Sequence, residues 1–240
     1  MSGHAFTAEG LRPRQAVTRS LGEGAAGPLG LAGICLLALV LVWAAFSHVP
    51  AVQLRDAALL HDFTLLNRPI LESVGNFLLH LLEPALFVLW GAALVAVALA
   101  RSKPRLAVAI AAVMALAPFT SETLKPLLAH PHYAAGEGLR IGPASWPSGH
   151  STAALTLVLC AVLVTPARLR PLVAFAGAGF TVAVGFALLV LAWHMPSDVL
   201  GGYLVATLWT ALAVASLRLA EGRWPTGRAQ AQAAGELPDA

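Results

Sequence analysis

The chain has 240 residues, of which 58% are hydrophobic and only 11% charged, against roughly 45–50% and 25% in a soluble domain. With a mean hydropathy of +0.76, this balance excludes a soluble enzyme and also a disordered chain, because disorder needs low hydrophobicity and high net charge. The net charge of +3 comes without a basic patch interleaved with aromatics, so nucleic acid is not an expected partner.

The excess apolar residues must meet lipid, and the expectation is an all-α, polytopic membrane protein. Residues 1–28 read as a flexible cytoplasmic tail rich in Gly, Ala and Arg. The first span is expected at residues 29–49, opened by Pro28; its 21 uncharged residues exceed the roughly 7–15 of a signal-peptide core. Residues 51–82 place Leu54, Leu59, Leu60, Phe63 and Leu66 at helical spacing among Arg55, Asp56, Asp62, Arg68 and Glu72, the pattern of an amphipathic helix lying in the interface. Further spans are expected at residues 84–100, 106–120 (continuing to Lys125), 149–167, 171–193 and 199–217, and the tail from residue 220 is again polar and flexible. The result is a six-transmembrane-helix bundle over residues 29–219, with an interfacial helix between spans 1 and 2. Cys35 and Cys160 fall within apolar runs, where they act as small hydrophobes.

Six spans put both termini on one side. That side would carry eleven of the fifteen basic residues, leaving Arg55, Arg68, Lys125 and Arg140 opposite. The positive-inside rule then predicts cytoplasmic termini and an external loop at 126–147 in the plasma (inner) membrane. Lys125, His130, His132, Arg140, His150, His194 and Asp198 gather on the external face, and ionisable residues at membrane depth are costly and usually functional.

Three local patterns carry chemistry. Trp146-Pro147-Ser148-Gly149-His150 opens a span, where free N–H groups and the positive dipole end suit an anion. Ser148 can add a hydroxyl donor and His150 can exchange a proton; equally, Ser148 can be an ordinary N-cap and His150 an interfacial histidine. His194-Met195-Pro196-Ser197-Asp198 sets a carboxylate four residues after a histidine, so a helix starting near Pro196 lets Asp198 hold the ring in one tautomer; a membrane-edge ion pair has the same spacing. Lys125 either faces the cleft as a phosphate-neutralising cation or snorkels beside Glu122.

Taken in order, Lys125, Pro147-Ser148-Gly149-His150 and His194 to Asp198 resemble the three-part signature of the type 2 phosphatidic acid phosphatase superfamily. That superfamily comprises integral-membrane lipid phosphate phosphatases and shares its fold with bacterial acid phosphatases and vanadium haloperoxidases. The resemblance implies that His194 attacks phosphorus to form a phosphohistidine, Asp198 orients it, and His150 protonates the departing oxygen. It also implies that Lys125, Ser148 and the amides of Gly149 and His150 hold the phosphate oxygens without a cofactor or metal. Two positions depart from the signature: His132-Tyr133 stands in place of Arg-Pro, and Ala187-Leu188 in place of Ser-Arg. His130, His132 and Arg140 are the candidates to supply the missing charge, since a histidine beside phosphate is pushed toward its protonated form.

The expected activity is hydrolysis of a lipid phosphate or diphosphate at the outer leaflet, the substrate being a polyprenyl diphosphate, phosphatidate or phosphatidylglycerol phosphate. A phosphotransferase using the same site and a non-catalytic lipid-binding or transport protein are the alternatives. A zinc hydrolase with His150, His194 and Asp198 as ligands lacks a supporting His-Glu-x-x-His motif.

Overall fold

The computed structural model describes residues 12–130 and 141–224, with side chains from residue 24 onward. Every regular element among the described residues is helical: α1 Arg12–His48, α2 Pro50–Thr64, α3 Pro69–His80, α4 Pro84–Ala100, α5 Pro104–Leu127, α6 Gly149–Val164, α7 Arg170–Val190 and α8 Pro196–Arg223. A short 3₁₀ turn, Ala167–Leu169, precedes α7. Pro50, Pro69, Pro84, Pro104, Pro171 and Pro196 stand at the first or second position of their helices. There the missing N–H costs nothing and the fixed φ suits the first turn. Pro28 does not behave this way: it lies inside α1, which begins at Arg12 and so takes in part of the segment expected as tail.

The chain is a multi-pass membrane protein. Four helices are long and apolar enough to cross a bilayer (Gly24–His48, Pro104–Leu127, Ala167–Val190 and Pro196–Arg223), and a fifth crossing results if α3 and α4, bent by 56° at their junction, act as one span. With 16 residues, α6 is only about 24 Å long, short of the roughly 30 Å hydrocarbon core. The segment expected as one interfacial helix is instead two helices, and α3 joins α4 rather than α2.

At the centre, α8 lies along α1 and against α5 and α6, and α6 also packs on α4, α5 and α7. The α1 face toward the interior is a stripe of small residues, Ala25, Ala32 and Cys35, with Leu39. Close helix approach in lipid relies on such residues. The opposite face exposes Ile34, Leu37 and Leu41, as α7 exposes Phe175 and Val182, which matches a surface solvated by acyl chains.

Candidate active site

The C-termini of α5 and α7 and the N-termini of α6 and α8 meet at one end of the bundle, and the side chains with chemistry are held there. α7 ends with Ala192 in the left-handed region at φ 54°, while Trp193 N–H donates to Leu188 O at 2.9 Å. This closure turns the chain back on itself and aims residues 193–194 at α6.

His194 Nδ1 lies 3.1 Å from Asp198 Oδ2. A carboxylate only accepts, so Nδ1 carries the proton and Nε2 keeps its lone pair. The same oxygen accepts from Met195 N–H at 3.0 Å, at the positive end of α8. Asp198 is fully buried and the His194 side chain is 13% exposed, so the pair is reachable only from the imidazole side. The spacing therefore produces the expected contact, and α8 starting at Pro196 is what allows it.

The α6 side is tied directly to this pair. Ser148 N–H donates to the backbone carbonyl of Asp198 at 2.9 Å, and Ser121 on α5 donates to Pro147 O at 3.1 Å. The Trp146–Pro147 peptide bond is cis. Gly201 and Gly202 make the approach possible: a Cβ on Gly202 would lie 2.1 Å from Ser151 Oγ and 2.5 Å from Ser148 O. No other residue type allows α8 to run this close to the first turn of α6.

Ser148 is the N-cap of α6 and accepts from Ser151 N–H at 3.4 Å. It is fully buried, so its capping contact is what the structure displays. Thr152 N–H is also satisfied, by Ser148 O, which leaves the amides of Gly149 and His150 as the first-turn donors open to an anion. The His150 ring stands edge-on to Trp193, with centroids 5.7 Å apart, and is reached by the charges of His194, Lys125, Glu122 and Glu83. Lys125 does pair with Glu122, Nζ to Oε1 at 2.6 Å, but the pair sits over the helix start: a Cβ on Gly149 would lie 2.7 Å from that Glu122 oxygen and 3.5 Å from Lys125 Nζ. Lys125 thus makes the Glu122 pair, and the pair lies beside the start of α6.

His130 lies three residues beyond the end of α5. Its Nδ1 donates to Leu128 O at 3.1 Å, its N–H donates to Pro143 O, and its charge reaches Asp56 on α2. His132 and Arg140 lie outside the described residues. Among the described residues no three His, Cys, Asp or Glu side chains converge as a metal centre.

Residues 106–220 match the sequence profile of the PAP2 superfamily. Over that segment the chain is similar to the PAP2 superfamily. Its fold is similar to the crystal structure of a transmembrane PAP2-type phosphatidylglycerolphosphate phosphatase from Bacillus subtilis. The TM-score is 0.61 and the identity 24%, over 78% of this chain and 93% of that one. No curated protein matches the sequence. The PAP2 segment starts within α5 and ends within α8, so it contains Lys125, His150, His194 and Asp198, while α1 to α4 lie outside it. Of the two positions that depart from the PAP2 signature, Leu188 is fully buried in the apolar core.

Sequence reasoning missed Asp56. That residue is only 6% exposed, whereas Leu54 and Leu59 on the same helix are 63% and 47% exposed. The helix thus turns an acid inward and leucines outward, opposite to the sorting expected at a water interface. The available signal was one acid among several charged residues in an amphipathic stretch, and it did not distinguish a buried contact from a solvated face.

Proposed function

We propose that the chain is a membrane phosphatase that hydrolyses a lipid phosphate or diphosphate at the outer leaflet through a phosphohistidine on His194. The observation that supports this most directly is the joining of the His194–Asp198 pair to the open start of α6 by the Ser148 N–H···O Asp198 bond. A nucleophile and an anion-binding helix terminus are thereby fixed in one rigid unit.

In the first step Nε2 of His194 attacks phosphorus, the N–P bond forms and the P–O bond to the lipid breaks. His150 gives its proton to the leaving oxygen. Asp198 stabilises the imidazolium without itself being protonated. In the second step water attacks the phosphohistidine, His150 takes the water's proton, and inorganic phosphate leaves. The equatorial oxygens lie against the Gly149 and His150 amides and Lys125 Nζ, consistent with phosphoryl transfer being mainly positioning and charge stabilisation. In this assignment Ser148 shapes the helix start through its cap, and Lys125 exchanges its Glu122 partner for phosphate. His130 is given no phosphate oxygen in this assignment, its Nδ1 being engaged with Leu128 O.

The basic residues Arg101, Lys103, Arg105, Arg168, Arg170, Arg218 and Arg223 stand at the opposite end of the bundle from this cluster, which supports cytoplasmic termini and an external site. Six crossings follow if the bent α3–α4 pair and the short α6 both span. Phosphatidylglycerol phosphate is the substrate that the name of the Bacillus subtilis structure supports. The test is phosphate release by purified full-length protein from phosphatidylglycerol phosphate, phosphatidate and a polyprenyl diphosphate, with His194→Ala as the control. Release that disappears in the variant is expected. Binding without release would overturn catalysis in favour of a lipid-binding protein, the reading favoured by Leu188 and by the Glu122 partner of Lys125. Phosphate recovered on an added alcohol would make the protein a phosphotransferase.

A further inference from the structure

The PAP2 profile begins at residue 106, yet one of the most deeply placed carboxylates at the site end belongs to α2. Asp56 Oδ1 accepts from Ser197 N–H at 3.1 Å and Oδ2 accepts from Ser197 Oγ at 2.6 Å. Ser197 is the residue immediately before Asp198, in the first turn of α8. That turn already carries the Asp198 contacts to His194 Nδ1 and Met195 N–H. One short stretch of backbone is therefore held from within by Asp198 and from outside by Asp56. We propose that Asp56 is a positioning residue for the His194–Asp198 pair, clamping the first turn of α8 through Ser197 so that Asp198 keeps the imidazole aligned.

This inference rests on the phosphatase reading for its kinetic consequence but not for its geometry. The clamp is two-point and charge-assisted, the kind of hydrogen bonding that fixes orientation as well as distance. It also explains the inverted burial of α2, since the helix docks on α7 and α8 with its acid inward. The environment fits a load placed there for a purpose. Desolvation lifts the Asp56 carboxyl to about 6, and the nearby Asp198 charge also raises it, while the two Ser197 hydrogen bonds and His130 act in the opposite direction.

The experiment compares wild type, Asp56→Ala, Asp56→Asn, Ser197→Ala and the double variant Asp56→Ala/Ser197→Ala, with exposed Asp62→Ala as a control on the same helix. Two readouts are taken on folded, full-length protein in detergent. One is kcat and KM for phosphate release; the other is the rate at which diethyl pyrocarbonate modifies His194, read by peptide mass spectrometry, which needs no turnover. Asp56→Ala is expected to lower kcat by about tenfold or more, the rate equivalent of one charge-assisted hydrogen bond, with KM little changed and His194 modified more slowly. Asp56→Asn, which can still bond both Ser197 groups, should restore both readouts to near wild type. The double variant should be no worse than Asp56→Ala alone. Should Asp56→Ala fail to fold, Ser197→Ala and Asp56→Asn still measure the clamp. Unchanged kcat and His194 reactivity in Asp56→Ala and Ser197→Ala, with only the melting temperature reduced, would overturn the proposal. If no lipid yields phosphate but Asp56→Ala still slows His194 modification, the clamp stands and the phosphatase reading falls.

Discussion

The two ends of the bundle use charge in opposite ways. At the end away from the candidate site, arginines reach helix ends and exposed carbonyls: Arg101 donates to Val164 O at the end of α6, Arg105 to Trp224 O beyond α8, and Arg218 to Gly24 O. These contacts lie at the surface or partly buried, several do the same job, and cations at helix C-termini are favourable anywhere. At the site end, Asp198 and Asp56 are buried, each has a defined set of donors, and each contact feeds the next. Redundant surface cations tolerate exchange; a serial chain of buried contacts does not. The comparison teaches that charge at one end closes on exposed carbonyls and at the other holds one geometry.

The largest expected effect comes from breaking the chain at its last member. His194→Ala should lose at least about a thousandfold in phosphate release while staying folded with a modestly lowered melting temperature, because Asp198 keeps its Met195 N–H bond. A melting temperature lowered in proportion to the activity would assign the residue to folding instead. Next is Leu188→Arg. The departure from the PAP2 signature invites restoring an arginine there, but Leu188 is fully buried in the apolar core. An unpaired charge at such a position costs about 3–5 kcal/mol, so the variant should unfold at much lower temperature and gain no affinity for vanadate. Tighter vanadate binding by a stable Leu188→Arg protein would show that the position opens to the cleft.

Packing supplies the third contrast. Gly202→Val would drive a side chain into Ser148 O and Ser151 Oγ, and overpacking of this kind costs roughly 1–3 kcal/mol or more. Gly33→Ala on α1 meets nothing within 4 Å and should stay within about 0.5 kcal/mol of wild type. Thermal unfolding of the two variants separates the close approach from ordinary helix packing. The fourth prediction concerns pH. Folding lifts the Asp56 carboxyl from its ordinary 3.8 to about 6, so the folded chain keeps a proton that the unfolded chain has released. That stabilisation is present at low pH and is lost as pH rises through about 6. Asp56→Asn has no such proton, so the stability of wild type relative to the variant should fall by about 1 kcal/mol from pH 5 to pH 7. A difference independent of pH would mean Asp56 is ionised throughout. The smallest effect belongs to the other end: Arg105→Gln should change stability by no more than about 0.5 kcal/mol and leave kcat unaltered, whereas a lost rate would tie that end to the chemistry.

Much of this architecture was legible in the sequence because its markers are local. Apolar runs mark helices through length alone, whereas Pro28, read as opening a span, lies inside α1. The His194–Asp198 contact followed from helical spacing. What escaped depends on contacts distant in sequence or on one residue's backbone. Asp56 and Ser197 are 141 positions apart, and only the docking of α2 makes them partners. The left-handed Ala192 carries no marker, since alanine is ordinary in helices and uncommon in that conformation. The break of 51–82 into two helices was announced by Pro69, but the pairing of α3 with α4 is a matter of angle, which composition does not encode. Ser148 and Lys125 were each given two readings, and spacing could not choose between them because the cap and the Glu122 pair both form at the start of α6.

The Lys125–Glu122 pair over Gly149 has a consequence for selectivity among lipids. Under the phosphatase reading, arrival of substrate is an ion exchange, in which an incoming headgroup must replace a carboxylate already seated on the lysine. A half-exposed pair of this kind contributes no more than about 1 kcal/mol, so a phosphomonoester dianion displaces it readily. A phosphodiester carries a single negative charge and has a smaller electrostatic advantage over the glutamate. The bulk of a bilayer is phosphodiester lipid, and the resident carboxylate lets the protein sit among those headgroups with its lysine occupied, yielding it to the rarer, more highly charged ones.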